Sequence, residues 1–382
     1  MGGYFKRCFY PVGHGGFTAE FFSSGFVMVY DCGTRTKLSQ KQENKIFTSF
    51  SKYCKKINKK SVIDVLFISH FDRDHVSFIE RINKGFEIKD VYMPFLTECQ
   101  RRIYLILYDE GSISHQLVSG TFEFSANTKI HLVKPIDDKY IAVDSDLMYP
   151  NAEIVESFCH KTGPSCKLLN WQYIPFMRNL QLSEDFLEKC KVSNIADIDL
   201  LEKAYVHGLN EDEMKKILSS ISAQQKKLRK LYKNSSERNK NSIMLFSGCS
   251  GITEHMEDCQ VGCCLYTGDA DGANGQKTRK DILSLFKDNI TQNTKICTLQ
   301  IPHHGSASSW GQNMEKFDCK NAVIQYRYGD KKRPAPAIIS HLNAKNINRI
   351  DVTDNADVYN QRYDLNDLTI CKNCASKLVE DL

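Results

Sequence analysis

One short run, Ser69-His70-Phe71-Asp72-Arg73-Asp74-His75, most constrains what this chain can fold into. It follows directly on Asp64 to Ser69 (DVLFIS), an apolar run with the length of a strand buried on both faces. Four potential metal ligands, His70, Asp72, Asp74 and His75, therefore crowd the C-terminal end of one strand. Carboxylates packed this closely repel one another unless a cation compensates. Alternation sends His70 and Asp72 one way, while Asp74 and His75 straddle a second point. That spacing suits two divalent ions about 3.5–4 Å apart. The competing reading is a solvated polar loop whose aspartate caps the helix opening at His75.

Two further strand ends carry the same chemistry. Tyr266-Thr267-Gly268-Asp269-Ala270-Asp271 ends an apolar strand with a glycine-flanked carboxylate. Gly268 allows close backbone approach, and Asp269 has the chemistry to bridge two cations. Thr298 to Ser306 (TLQIPHHGS) ends another strand with the pair His303-His304 before a glycine. Alone, the first segment reads equally well as a simple Asp turn; lone histidines are more often core or surface residues, but a pair at a strand end is not a common accident. Together, three strands deliver His/Asp clusters at their C-terminal ends, where the loops of layered α/β proteins converge.

The rest of the pattern supports that architecture. Strands are expected at Gly25–Asp31, Lys89–Pro94 and Thr128–Val133, with amphipathic helices over 38–56 and 97–109. Residues 136–238 are poor in glycine and rich in charge. Over 211–232 they place Met214, Ile217, Leu218, Ile221, Leu228 and Leu231 near one helical face. The chain thus divides into 1–135 and 239–365 as two halves of one α/β domain, 136–238 as a helical insertion, and 366–382 as a tail. Trp171 and Tyr173 either stack on bases or, the preferred reading, pack the insertion's own core.

These motifs resemble a known family. HxDxDH after a buried strand, then TGDA, then IPHHGS, is similar to the metallo-β-lactamase fold, above all its branch typified by the hydrolase domain of the ComEC DNA-uptake proteins. Val12 to Gly16 (VGHGG) resembles that branch's opening VGQGD, Asp31-Cys32-Gly33 its DxG strand end, and Asn239 to Ser242 (NKNS) its NNxS. The resemblance implies an αββα sandwich with a helical insertion. It also implies two divalent ions, zinc or manganese, held by His70, Asp72, Asp74, His75, Asp269 and one of His303 and His304, with His304 preferred. Asp31 would orient ligands by hydrogen bonds, and Asn241 would lie near the first metal. Three positions depart from the pattern: His14 stands for Gln, Gly16 for Asp, and Arg333 for the histidine that closes the site. The second metal is then one ligand short, or His14 or His341 substitutes.

The implied activity is hydrolysis by a metal-activated water, with Asp74, His303 and Arg333 as catalytic residues. Arg333 and Ser306 would contact the substrate oxygen, and His303 or His14 would protonate the leaving group. A phosphodiester, in nucleic acid or a small molecule, is the expected substrate. The alternatives are a small-molecule metallohydrolase (cyclic nucleotide, phosphoester or lactone) and a docking or conditionally active subunit of a multi-protein bacterial, possibly defence, system. In the last case the insertion binds a protein partner. Composition decides less. Fifty-one basic against 46 acidic residues give a net charge of +5, too mild to prove nucleic-acid binding. The basic run Gln225–Lys233 either tracks a phosphate backbone or is a solvated helix face. No apolar run reaches membrane-span length, and the first residues lack an export signal's apolar core. Fifteen cysteines without such a signal read as reduced thiols in a cytoplasmic protein. Cys371 and Cys374 form a lone CxxC, a zinc site only if Cys263-Cys264 supplies the second pair.

Overall fold

The structure, a computed structural model, describes residues 4–59, 61–136, 148–166, 169–177, 184–197, 199, 211–233, 242–249, 262–270, 282–290 and 295–364. The first half runs β1 (Tyr4–Phe9), β2 (Phe17–Phe22), β3 (Val27–Cys32), α1 (Gln40–Asn58), β4 (Val62–Phe67), α2 (Arg73–Val76), α3 (Ile79–Gly85), β5 (Glu87–Pro94), α4 (Glu98–Leu107), α5 (Ile113–Ser119) and β6 (Lys129–Val133). The middle holds β7 (Glu153–Val155), β8 (Lys161–Cys166), β9 (Leu169–Phe176), α6 (Glu184–Val192), α7 (Glu211–Ala223) and α8 (Gln225–Lys233). The second half holds β10 (Met244–Cys249), β11 (Cys264–Tyr266), α9 (Ile282–Asn289), β12 (Lys295–Gln300), α10 (Gln312–Glu315), β13 (Asp318–Tyr326), α11 (Pro336–Ala344), β14 (Asn348–Thr353) and β15 (Tyr359–Asp364).

Two sheets result. One has the order β15-β1-β2-β3-β4-β5-β6-β7, the other β14-β13-β12-β11-β10-β9-β8. Strand alternation sorts the core into layers. Met28 and Tyr30 of β3, and Val65 and Phe67 of β4, point between the sheets, where they meet Tyr173, Leu245, Tyr266 and Val323. Val27, Val29 and Leu66 point outward and pack under the helices of the first half. Phe246, Leu299, Ala322 and Ile324 do the same on the other side, under α9 to α11. The layering is αββα. Helix α1 shows how locally specified its parts are. Ser39 and Gln42 form a capping box, and Ile46, Phe47, Phe50 and Cys54 lie on the buried stripe. Lys55 and Lys56 occupy the last turn, where the helix dipole favours them.

The middle departs from the expected, mostly helical insertion over 136–238. Strand β7 extends the first sheet in parallel beside β6, while β8 and β9 form an antiparallel pair docked on β10. The reason is a period of two in Trp171 to Met177. Trp171, Tyr173 and Met177 face the space between the sheets, and Ile174 and Phe176 face the outer layer. Trp171 and Tyr173 therefore pack the common core, not a core of the insertion's own. The helices begin at α6. Phe186, Leu187, Ile217, Ile221, Leu228 and Tyr232 join the layer that contains Ile103, Tyr104 and Leu107 of α4. Cys263 and Cys264 are buried in different layers, so they offer no chelating pair. Cys371, Cys374 and the rest of 365–382 lie outside the described residues, as does Asn241. No helix among the described residues is long and apolar enough to cross a membrane.

Between the sheets lies a buried polar seam. The fully buried Glu20 carboxylate accepts from Arg7 Nε (2.8 Å), Tyr173 Oη (2.9 Å), Ser247 Oγ (2.8 Å) and Tyr266 Oη (2.7 Å). Arg7 also donates to Gln361 Oε1 and Gly262 O, and Trp171 Nε1 donates to Ser247 Oγ. Breaking one side of a buried ion pair strands the other charge in a low-dielectric interior. Glu20→Gln keeps the shape but leaves Arg7 uncompensated. It is expected to cost about 3–5 kcal/mol in urea unfolding; a loss below about 1 kcal/mol would show that the seam does not bind the sheets together.

Candidate metal centre

Four strand ends build the centre. β3 and β4 pair in parallel, as do β11 and β12, so their C-terminal loops emerge on one side. Asp31 near the end of β3 has φ 54°, and both His303 (φ 49°) and His304 (φ 57°) are left-handed. Non-glycine residues in that region cost about 1–3 kcal/mol each and cluster where function requires the geometry. Close packing around the loop is equally demanding. A Cβ at Gly33 would lie 2.5 Å from Val76 N and 2.7 Å from Asp74 C. A Cβ at Gly16 would lie 3.0 Å from Asp31 and from His75 Nδ1, so an aspartate there would collide with that pair.

The three expected clusters meet. Ligand atoms of Asp74, His75, Asp269 and His304 lie within 4.8 Å of one another, as do those of His70, Asp72 and Asp74, and all are buried. Asp269 faces both ways. Its Oδ1 is 3.2 Å from His75 Nε2 and 3.7 Å from His304 Nε2; its Oδ2 is 4.0 Å from His70 Nε2 and 3.8 Å from His303 Nε2. Asp74 Oδ2 lies 3.7 Å from His304 Nε2. Roughly half the chain separates the first cluster from the others, yet they share one buried space.

Each imidazole in the cluster is oriented from behind. His75 Nδ1 bonds Asp31 Oδ2 at 2.8 Å, and His304 Nδ1 donates to the Gln325 carbonyl at 3.0 Å. His70 Nδ1 lies 2.9 Å from Ser69 Oγ, which itself donates to Asp31 Oδ2 at 2.8 Å, and 3.1 Å from Ser242 Oγ. A proton fixed at Nδ1 turns each Nε2 lone pair inward, the arrangement that metal-binding histidines need. Asp74 Oδ1, His75 Nε2, Asp269 Oδ1 and His304 Nε2 are buried without a hydrogen bond. Unsatisfied buried polar atoms are costly, and a bound cation satisfies all four at once. The donor set of nitrogen and oxygen suits zinc or manganese.

The charges agree. Burial would raise the Asp74 and Asp269 carboxyls, but His304 and His75, and for Asp269 also His303, hold both below the ordinary range. Burial pushes the His75 imidazole down, yet Asp31 and Asp269 on either side hold it well above its usual value. A proton and a divalent cation thus compete for the same lone pair.

The remaining expected residues are placed differently. Arg333 reaches the edge of the centre, where its Nη2 donates to His303 Nε2 at 2.9 Å. His303 Nδ1 then donates to Ser309 Oγ at 3.0 Å. Burial, with the charges of Arg333 and His304, lowers His303 to about 4. Its Nε2 accepts from Arg333 in this arrangement, so the expected proton donation to a leaving group would require that hydrogen bond to break. His14 is also lowered to about 4 by burial, His304 and Arg333; it pairs with Asp330 at 2.7 Å. Its ring centroid is 5.5 Å from that of His304, but it belongs to neither ligand group. His341 packs against Trp310. Ser306 Oγ bonds Ser308 Oγ at 2.9 Å and its backbone N–H donates to His303 O at 3.0 Å, while the Ser309 hydroxyl meets the His303 ring. Sequence reasoning missed Ser309, Gln325 and Tyr108, whose hydroxyl donates to Asp72 Oδ1 at 3.0 Å. Tyr108 carries no motif, and only tertiary structure brings it to the loop.

No protein-family model matches the chain, and no curated protein matches it. Among solved structures, the metallo-β-lactamase fold protein YhfI from Bacillus subtilis aligns over 93% of this chain and 99% of its own, at 8% identity and TM-score 0.36. A variant of the CmlA β-hydroxylase aligns over 94% of this chain at 10% identity and TM-score 0.42; the chain spans 54% of its length. Both likenesses are distant. The αββα layering, the order of the two sheets and the ligand loops at their strand ends agree with the metallo-β-lactamase fold that the sequence motifs resemble.

The pairing of His303 with Arg333 is testable without any metal. In protein stripped of metal, His303 is expected to titrate near 4 by NMR of labelled imidazoles. Arg333→Met should move it upward, because a neighbouring positive charge is removed. A His303 titration near 6.5 in both proteins would remove the Arg333–His303 pairing.

Proposed function

We propose that the chain is a divalent-metal-dependent hydrolase of phosphodiesters, a reading that agrees with its resemblance to the ComEC branch. The observation that carries it is Arg333. At the edge of a buried, carboxylate-rich centre, a cation that binds no metal is useful only to an anion. It is half-buried, so its field is less screened than a surface charge, and exposed Lys331 and Lys332 precede it on the same loop. A neutral ester or lactone would not need this charge.

Asp74, His75, Asp269 and His304 would hold one cation; His70, Asp72 and Asp74 would hold or share a second. Such ions supply a water acidic enough to ionise near neutral pH and a positive charge for the developing oxyanion. The chain's own part is positional. Asp31 and Gln325 fix the two imidazoles of the first group, while Ser69 and Ser242 fix His70. Arg333, steadied by His303, orients the ester's non-bridging oxygens. His303 accepts from Arg333, so its contribution is to aim the guanidinium.

Purified protein supplied with Mn²⁺ or Zn²⁺ is expected to cleave single-stranded DNA, cyclic dinucleotides or bis-(p-nitrophenyl) phosphate. Asp74→Ala should lower turnover by about two orders of magnitude or more without unfolding the domain. Arg333→Met should lower kcat/KM on phosphodiesters by about 10²-fold while metal content stays unchanged, since one charge-assisted contact is lost. Wild-type turnover in Asp74→Ala, or absence of cleavage with every phosphodiester and metal, would end this reading. An Arg333→Met protein that loses nothing on anionic esters would move the substrate class to neutral ones.

A further inference from the structure

We propose that Tyr108 is a positioning residue for the metal centre, and that the helical insertion holds it in place through Arg229 and Gln225; the idea rests on the metal-dependent reading above. Tyr108 stands at the C-terminal end of α4 with extended backbone (φ −84°, ψ 152°), the first residue past the helix. Its hydroxyl donates to Asp72 Oδ1 at 3.0 Å. Asp72 is 2% exposed and shares a ligand group with His70 and Asp74. A phenol donating to one carboxylate oxygen fixes the side chain's rotation and draws off part of its charge.

What holds the phenol comes from the insertion. The last carbonyls of a helix have no partner within it. Here Arg229 of α8 takes over: Nε donates to Ile106 O (2.8 Å), Nη2 to Tyr108 O (2.5 Å) and Nη1 to Asp109 Oδ1 (2.9 Å). Gln225, one helical turn earlier, adds Nε2 to Ile106 O at 2.9 Å. One planar guanidinium thus clamps three acceptors around the residue that reaches Asp72, a task its fork performs and an ammonium cannot. The rings agree. Tyr104 stacks on Tyr108 with centroids 5.6 Å apart, and Tyr232 of α8 meets Tyr104 edge-on at 6.1 Å. Tyr104, Tyr108 and Tyr232 line one cleft together with His70. The contact path from insertion to ligand therefore runs through named atoms: α8, Arg229, the end of α4, Tyr108, Asp72.

The test titrates Mn²⁺ or Zn²⁺ alone into metal-stripped, full-length protein by calorimetry, with thermal unfolding recorded in parallel. Tyr108→Phe should weaken binding about 10- to 100-fold, the usual loss when a ligand's supporting hydrogen bond is removed. Arg229→Met should weaken it in the same direction. The double variant should bind no more than about twofold more weakly than Tyr108→Phe, because both changes cut one path. Arg229→Lys, which keeps the charge and loses the fork, should behave like Arg229→Met and guards against a folding defect in the latter. Tyr108→Phe binding within twofold of wild type overturns the proposal. So does an Arg229 variant that lowers the unfolding temperature while binding metal normally, since the clamp is then only structural. If wild-type protein takes up no metal, the metal-dependent reading itself fails, and this one with it.

Discussion

The Asp31 carboxylate is the contact on which the centre depends. It is fully buried, in a left-handed backbone conformation, and it accepts from Ser69 N at 2.7 Å, Ser69 Oγ at 2.8 Å and His75 Nδ1 at 2.8 Å. One side chain thereby ties the end of β3 to both ends of the ligand loop that follows β4. The first bonds set where the loop starts. The last sets the tautomer and aim of a histidine six residues on. Ser69 passes the same constraint to His70, whose Nδ1 lies 2.9 Å from its hydroxyl. Charge-assisted bonds are the strong ones, and in a buried network they reinforce each other. Without this carboxylate the loop would keep its ligand residues and lose their shared orientation.

Much of this was legible in the sequence because the informative signals are local. A buried strand followed by closely spaced His and Asp is read from adjacent residues, and so are a glycine before Asp269 and a paired histidine after a proline. Strand ends then converge for a reason of topology, not of sequence distance. Asp31 could be read as an orienting residue from the resemblance, and its bond to His75 at 2.8 Å gives that reading a geometry. The layered fold was legible for the same reason: the apolar runs of β3 and β4 and the amphipathic stretch over 38–56 are patterns within a few residues.

The rest was not legible, for reasons that differ by residue. Trp171, Tyr173 and Met177 do alternate, but the charged segments around them masked the strand within a region read as helical. Their partners, Ser247 and Glu20, lie 76 and 153 residues away. Arg333 stood out as a missing ligand; that it would turn to His303 depends on a loop returning from β13. Tyr108 is one of seventeen tyrosines and has no local mark. A side chain that acts through another residue leaves its signature in distance alone, and distance is what the linear chain withholds.

The two buried polar assemblies of this molecule solve opposite problems. In the seam around Glu20, the carboxylate has four protein donors and the guanidinium of Arg7 has Glu20, Tyr266, Gln361 and Gly262. A fully satisfied network rigidifies the junction of the sheets. At the strand ends, by contrast, four buried atoms make no hydrogen bond and three non-glycine residues are left-handed. Such a site opposes folding, and it persists only where surrounding structure over-determines it. The seam is well suited to that task, since it joins β1 and β2 to β9, β10 and β11, and β11 carries Asp269 just past its end. Polar satisfaction is concentrated where the sheets must not move and withheld at the group of side chains that could hold a cation. That division lets one sandwich be both a stable scaffold and an open set of ligands.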